Sequence, residues 1–314
     1  MNATSRDHFL TLNLRNDPNF RQGMLSNHAS MALLALHALG ASEQHLERFH
    51  EHYFRLLDPL QPDGIDRQQL LDDLRRKGWK QSLAERLPAL AEGLGGDAFH
   101  GWIRTAYAVM RIQESADDLA YHELTHALAY LERRRLFLSG APQHTGKSSS
   151  ELFDKVIAAR FDSLPSGLIT PRMQKAFASP QVAAAARQTP NDGLAGIAAV
   201  VLENFIANAD FASLHLVTAV HSSRVLSAWV PHEALIASTW AAVASTLAFV
   251  SPRRHPSPVH EPRDWPEIVA AAAESLDDHV PKLVFSCREE ARAYPENDEK
   301  YRFVARRAAF SDIP

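Results

Sequence analysis

The sequence predicts an all-α protein: one large helical domain spanning residues 1–314, with a histidine-rich metal centre in the core of the bundle. Three observations carry that expectation. Apolar residues recur at helical spacing along most of the chain, and strand-type alternation is nearly absent. A hydrophobic content of 46% is ample for a substantial core. Sixteen histidines are present, several inside apolar stretches rather than on charged surfaces. A buried imidazole must be hydrogen-bonded or metal-bound, since an unpaired buried polar group costs a few kcal/mol.

The expected helices follow in order. Asn27 caps a helix over 28–39 that Gly40 stops. Ser42 caps the next, which runs to residue 57 and ends before Pro59. Helical patterns then cover 66–76, 80–93, 97–113 and 116–137, and after a break 151–160, 194–209, 211–229, 233–250, 267–293 and 299–308. Two segments read as loops: 139–150, rich in Gly, Ser and Pro, and 251–266, with five prolines. Neither separates halves of different composition, which favours one domain over two.

Composition also excludes partners. A net charge of −4 gives no basic footprint for nucleic acid. The single cysteine, Cys287, permits no intrachain disulfide and no thiolate cluster. The N-terminus, MNATSRDHFL, has no apolar run of signal-peptide length. The longest uncharged run, 234–250, is seventeen residues, short for a bilayer span. A cytoplasmic location without membrane partners is expected.

The loudest motif is His122-Glu123-Leu124-Thr125-His126, the pattern of zinc metallopeptidases. Two imidazoles one helical turn apart reach one ion, and the glutamate between them can polarise a bound water. No third ligand follows in a matching setting, so the favoured reading is a coincidence on one helix face. The second motif, Ala141 to Ser148 with Gly146-Lys147-Ser148, resembles a degenerate phosphate-binding loop. It lacks the preceding strand and parallel sheet that such a loop needs, which favours a flexible loop. The third feature is a set of histidines on separate apolar helices: His28, His100, His215 and His279, the last with Lys282 three residues on. Helix bundles build metal centres by converging one or two ligands per helix. Taken singly, each histidine is more often a hydrogen-bonded core residue, and spacing alone does not choose these four.

Six stretches, in order, resemble the questin oxidase-like family along most of the chain. They are Asn27-His28-Ala29-Ser30-Met31; His100-Gly101-Trp102-Ile103-Arg104 with Ala106; Glu123 to Tyr130; Leu214-His215 to Ala219; Trp240-Ala241; and Asp278-His279-Val280-Pro281-Lys282-Leu283. The resemblance implies an all-α oxygenase that opens anthraquinone or related polyketide rings by inserting oxygen. It also implies a non-haem iron centre with His28, His100, His215, His279 and a carboxylated Lys282 as ligands, acting on a small aromatic substrate and O2. NADPH use and a homodimer are compatible with the sequence. The family does not require His122 and His126, which makes them accidental. His221 lies outside the pattern but near enough to His215 to approach the site. Pro281 departs from the family's usual aliphatic residue and is expected to kink the helix and move Lys282.

Arg104 and Glu123 are the candidate catalytic residues. Arg104, one turn beyond His100, could stabilise a phenolate or reduced-oxygen anion, or else pair with Glu123. Glu123 is the general base of the peptidase alternative. Trp102 and Tyr107 could line the pocket. The alternatives are a zinc peptidase using His122, Glu123 and His126, and a helical relative without catalysis.

Overall fold

The computed structural model describes residues 4–138, 140–160, 167–250 and 263–310. Among these are sixteen α-helices: α1 (Ser5–Asn13), α2 (Ala29–Ala38), α3 (Glu43–Tyr53), α4 (Arg67–Lys77), α5 (Trp79–Ala91), α6 (His100–Glu114), α7 (Asp118–Arg133), α8 (Ser149–Ala158), α9 (Ile169–Phe177), α10 (Pro180–Ala186), α11 (Gly193–Asn208), α12 (Phe211–Leu226), α13 (His232–Leu247), α14 (Trp265–Ala273), α15 (His279–Ala293) and α16 (Asp298–Phe310). Strand structure is limited to pairs of two residues. β1 (Asn19–Phe20) pairs antiparallel with β2 (Leu25–Ser26), and β3 (Gln143–His144) pairs parallel with β4 (Gln188–Thr189). No helix of the described residues is long and apolar enough to cross a membrane.

The central helices are apolar nearly all round, as the sequence of α2 requires: every residue from Ala29 to Leu36 is buried. α2 packs on α1, α6 and α15, and α12 packs on α6, α11, α13 and α15. α6 and α7 approach closely at Gly101, which leaves room; a Cβ there would sit 2.8 Å from the Leu131 Cα. Side-chain caps fix several starts, the one at Ser42 as expected and the one at Ser148 not; α2 has His28 rather than Asn27 at its N-cap position. Ser42 accepts from the His45 N–H, and Ser148 and Glu151 form a capping box on α8.

Several boundaries differ from the sequence reading. Helices α1, α9 and α10 are short and were not expected from periodicity. The expected helix over 116–137 ends at Arg133, after which Leu136 bridges to Leu94. The expected helix over 267–293 is two helices. Between them Ser275 Oγ accepts the Asp277 N–H at 3.1 Å, and Asp277 Oδ1 accepts the His279 N–H at 2.8 Å. These short side chains offer the backbone an alternative to the helical ladder and restart it at His279. The expected helix over 97–113 begins only at His100, because Asp97, Ala98 and Phe99 take left-handed conformations with φ of 49°, 55° and 69°. The 251–266 loop falls outside the described residues except for 263–266, where α14 already begins at Trp265.

Candidate metal centre

Four helix starts converge on one point. His28 directly precedes α2, and its backbone N–H donates to the Tyr53 hydroxyl at 3.0 Å. His100 opens α6, His215 lies in the first turns of α12, and His279 opens α15. Ring centroids are 4.5 Å apart for His28–His100, 4.8 Å for His100–His215, 4.9 Å for His28–His279 and 5.9 Å for His215–His279. Two overlapping groups have donor atoms close enough for one ion: His28 with His100 and His215, and His28 with Asp278 and His279.

The tautomers follow from the partners. A carbonyl or an ionised carboxylate only accepts, so each ring nitrogen facing one carries hydrogen. His100 Nδ1 faces the Asp97 carbonyl, and His215 Nδ1 faces the Phe211 carbonyl at 2.7 Å. His28 Nδ1 faces the Asp278 carboxylate, and His279 Nδ1 faces Asp277 Oδ1 at 3.1 Å. In the neutral ring this leaves four Nε2 lone pairs. Those of His28 and His279 are buried without a partner. Those of His100 and His215 face each other at 3.1 Å. Two lone pairs do not bond each other, and a cation between them would satisfy both. Nitrogens about 2.0–2.1 Å from a common ion stand about 3 Å apart, so the spacing fits. An outer oxygen acceptor behind each ring is the usual support of a histidine ligand.

The electrostatics favour the neutral form of His28, His100 and His215. Burial, then the Lys282 charge, pulls His28 down to about 3 against the opposing effect of Asp278. Burial and the neighbouring imidazoles hold His100 and His215 well below the ordinary histidine value. Burial would raise the Asp278 carboxyl, but His279, His28 and Lys282 hold it well below the carboxylate range. Lys282 donates to Asp278 Oδ2 at 3.3 Å, and burial lowers its ammonium pKa. Pro281 does not displace it. Pro281 falls in the first turn of α15, where its N–H would have no helical partner, so the expected kink is absent.

A cavity of about 670 Å³ opens onto His28, His100, His215 and His279. Its walls include Phe20, Tyr53, Asp97 and Phe211, the last packed edge-on against His215 and His279 at 4.7 and 5.0 Å. Beneath His100, the Asp97 carboxylate accepts from the Tyr130 hydroxyl at 2.6 Å and the Asn19 amide at 2.7 Å, and Ser26 Oγ lies 3.0 Å from His100 Nδ1. Reasoning from sequence missed Asp278, Asp97, Tyr130, Ser26 and Tyr53 in this surround. Asp278 had a signal, since it directly precedes His279; the others had none.

Arg104 and Glu123 are elsewhere. Both are buried, their charged groups 3.9 Å apart, and neither lines the cavity. This is the ion-pair alternative for Arg104, in place of an anion-stabilising role at the histidines. Burial pushes the Glu123 carboxyl up despite Arg104. His122 is partly exposed, 3.6 Å from Asp118, and burial pulls His126 down to about 3. Among the described residues no third donor joins His122 and His126 around one ion. A peptidase site is therefore not built there, because Glu123 turns into the core while His122 turns outward. Trp102 and Tyr107 are buried core rather than cavity wall. His221 is buried against Glu290 at 2.9 Å, which Arg224 also binds, and does not line the cavity. The strand structure of the stretch from Ala141 to Ser148 is the two-residue pairing with β4, and the larger parallel sheet that a phosphate-binding loop needs is absent among the described residues.

The fold and site thus define an all-α protein with a four-histidine cluster, three of its residues buried and His279 half-buried, at the floor of an open cavity. The sequence profile of the questin oxidase-like family matches residues 68–287, and the chain belongs to that family, one of oxidase and oxygenase enzymes. The matched segment carries His100, His215, His279 and Lys282; His28 precedes it and reaches the same cluster through the fold. No curated protein matches the chain.

Proposed function

We propose that the protein is a non-haem iron oxygenase that inserts oxygen into a phenolic polyketide of the anthraquinone type and opens its ring. The observation that carries the metal is the set of four Nε2 lone pairs, two of them facing at 3.1 Å. His28, His100, His215 and His279 would hold the ion, and neutral imidazoles suit Fe(II). Bound there, iron would supply the redox chemistry with dioxygen that no side chain provides. Asp278, or Lys282 after carboxylation, would add the negative charge that four neutral rings lack. The rest is done by the chain. The outer oxygens fix each ring, Phe211 and Phe20 offer apolar faces to an aromatic substrate, and the cavity leaves one side of the cluster open to it.

The test is metal analysis of protein purified without a histidine tag. Stoichiometric iron lost in His28→Ala and His215→Ala, with oxygen uptake on a hydroxyanthraquinone, is expected. Stoichiometric zinc abolished by His122→Ala would overturn the reading, and no metal from iron-replete anaerobic purification would favour a relative without catalysis. Oxygen uptake measured with and without NADPH decides whether a nicotinamide donates electrons.

A further inference from the structure

The cavity has a second chemical character that the histidine cluster does not explain. Four guanidinium-bearing residues line it: Arg21, Arg133, Arg134 and Arg135. The two carboxylates that share the lining are already engaged. Asp97 takes the Tyr130 and Asn19 donors, and Asp278 takes Lys282 and His28. The arginines are only partly engaged in return. Arg134 rests two nitrogens on the neutral amide oxygen of Asn19, at 3.0 and 2.7 Å, and its Nε stands 4.0 Å from Asp97 Oδ2. Arg133 stands 3.5 Å from Asp63, a carboxylate that Arg67 already grips. Arg135 lies over the Phe137 ring at 5.1 Å. Arg21 is exposed and makes no ion pair among the described residues, and it sits on the β1–β2 turn in a left-handed conformation with φ of 50°.

The same mouth is apolar. Met24, Leu25, Leu56, Leu168 and Phe211 all line it and are the greater part of the large hydrophobic side chains that the described residues expose. Apolar surface at a cavity entrance, beside guanidinium groups with spare donors, suits a ligand with a flat apolar body and an anionic oxygen group.

We propose that this cavity takes an aromatic substrate bearing a carboxylate, with Arg21 and the 133–135 arginines gripping the carboxylate at the mouth while the ring lies toward the histidines. The proposal rests on the oxygenase reading for its choice of an aromatic body, but its test does not require turnover.

The experiment is a fluorescence titration with 3-hydroxy-2-naphthoic acid and its methyl ester, which keeps the phenol and removes the charge. It is run on metal-loaded and on chelator-treated protein. The acid should bind at least about tenfold more tightly than the ester in both preparations, because the preference belongs to the arginines. Added salt should narrow the gap. Arg21→Gln should weaken the acid at least about threefold and leave the ester unchanged. Its exposed position keeps the fold intact, and Gln22 already shares the left-handed region with φ of 60°. Arg133→Gln provides a second variant. Equal affinity for acid and ester, or no acid binding at millimolar concentration, would overturn the proposal. So would a preference that vanishes with the metal, or one untouched in both variants. Absence of metal in the purified protein would sink the oxygenase reading and leave this measurement standing.

Discussion

Two histidine-bearing regions of this protein differ in nearly every respect that matters for chemistry. On α7, His122 and His126 sit one turn apart around a glutamate, yet one ring faces solvent and the glutamate faces a buried arginine. At the other region, four histidines from four chain segments meet within a few ångströms, each anchored from behind by an oxygen. Proximity in sequence gave the first pair a motif without a third donor. Convergence in space gave the second set a shared point. A ligand set is defined by where the lone pairs end up, and backing acceptors decide that.

The largest effect that would break this contrast is metal loss. His100→Ala or His215→Ala should weaken metal binding more than about 100-fold, since even outer partners of ligands cost up to that, while His122→Ala should retain the metal in full. Elemental analysis of the purified variants reads both arms; equal retention would dissolve the distinction. The next effect is on the fold beneath the cluster. A Cβ on Gly96 would lie 1.6 Å from the Arg134 carbonyl oxygen. Gly96→Ala should cost about 3 kcal/mol or more and lower the melting temperature by several degrees, because backbone must move. Glu123→Gln should be milder. It leaves Arg104 with a neutral partner, costs about 1–3 kcal/mol in denaturant unfolding, and leaves metal content unchanged.

The smallest effect concerns pH. His126 is held at about 3 in the fold against an ordinary value of 6.5. Below 6.5 the unfolded chain takes up a proton that the folded chain refuses, so this contribution to stability is whole above 6.5 and is lost as pH falls toward 3. His126→Gln should flatten the acid side of the stability profile, measured by urea unfolding from pH 7 to 5. An unchanged slope would show that His126 is solvated.

The helical architecture was legible because periodicity of apolar residues is local, and α3, α6 and α7 carry it strongly, while α2, α12 and α13 were legible as long, mostly uncharged apolar runs. The shortest helices were not legible, since α10 has too few residues to show a period. The four histidines became legible only through resemblance to a family; their spacing alone left core histidines as the ordinary reading. Asp97 and Tyr130 were out of reach because their role depends on the left-handed turn at residues 97–99, which no pattern of residue types announces. Arg104 misled for a related reason. One turn beyond His100 is a position on a helix, and the helix turns that position toward α7.

The contact between His28 and Asp278 joins points 250 residues apart in the chain. The site therefore comes into being late: it is complete only after the segment carrying Asp278 and His279 has been made and packed against the one carrying His28. A fragment cut to the segment that the family profile recognises would carry three of the four rings and lack the one supplied by the stretch before α2. Closing so long a loop is entropically costly, and an ion that grips both His28 and His279 would fasten the segment before α2 to the start of α15. Loading with metal should then be felt as resistance of the first thirty or so residues to proteolysis, far from where a protease would ordinarily report on chemistry.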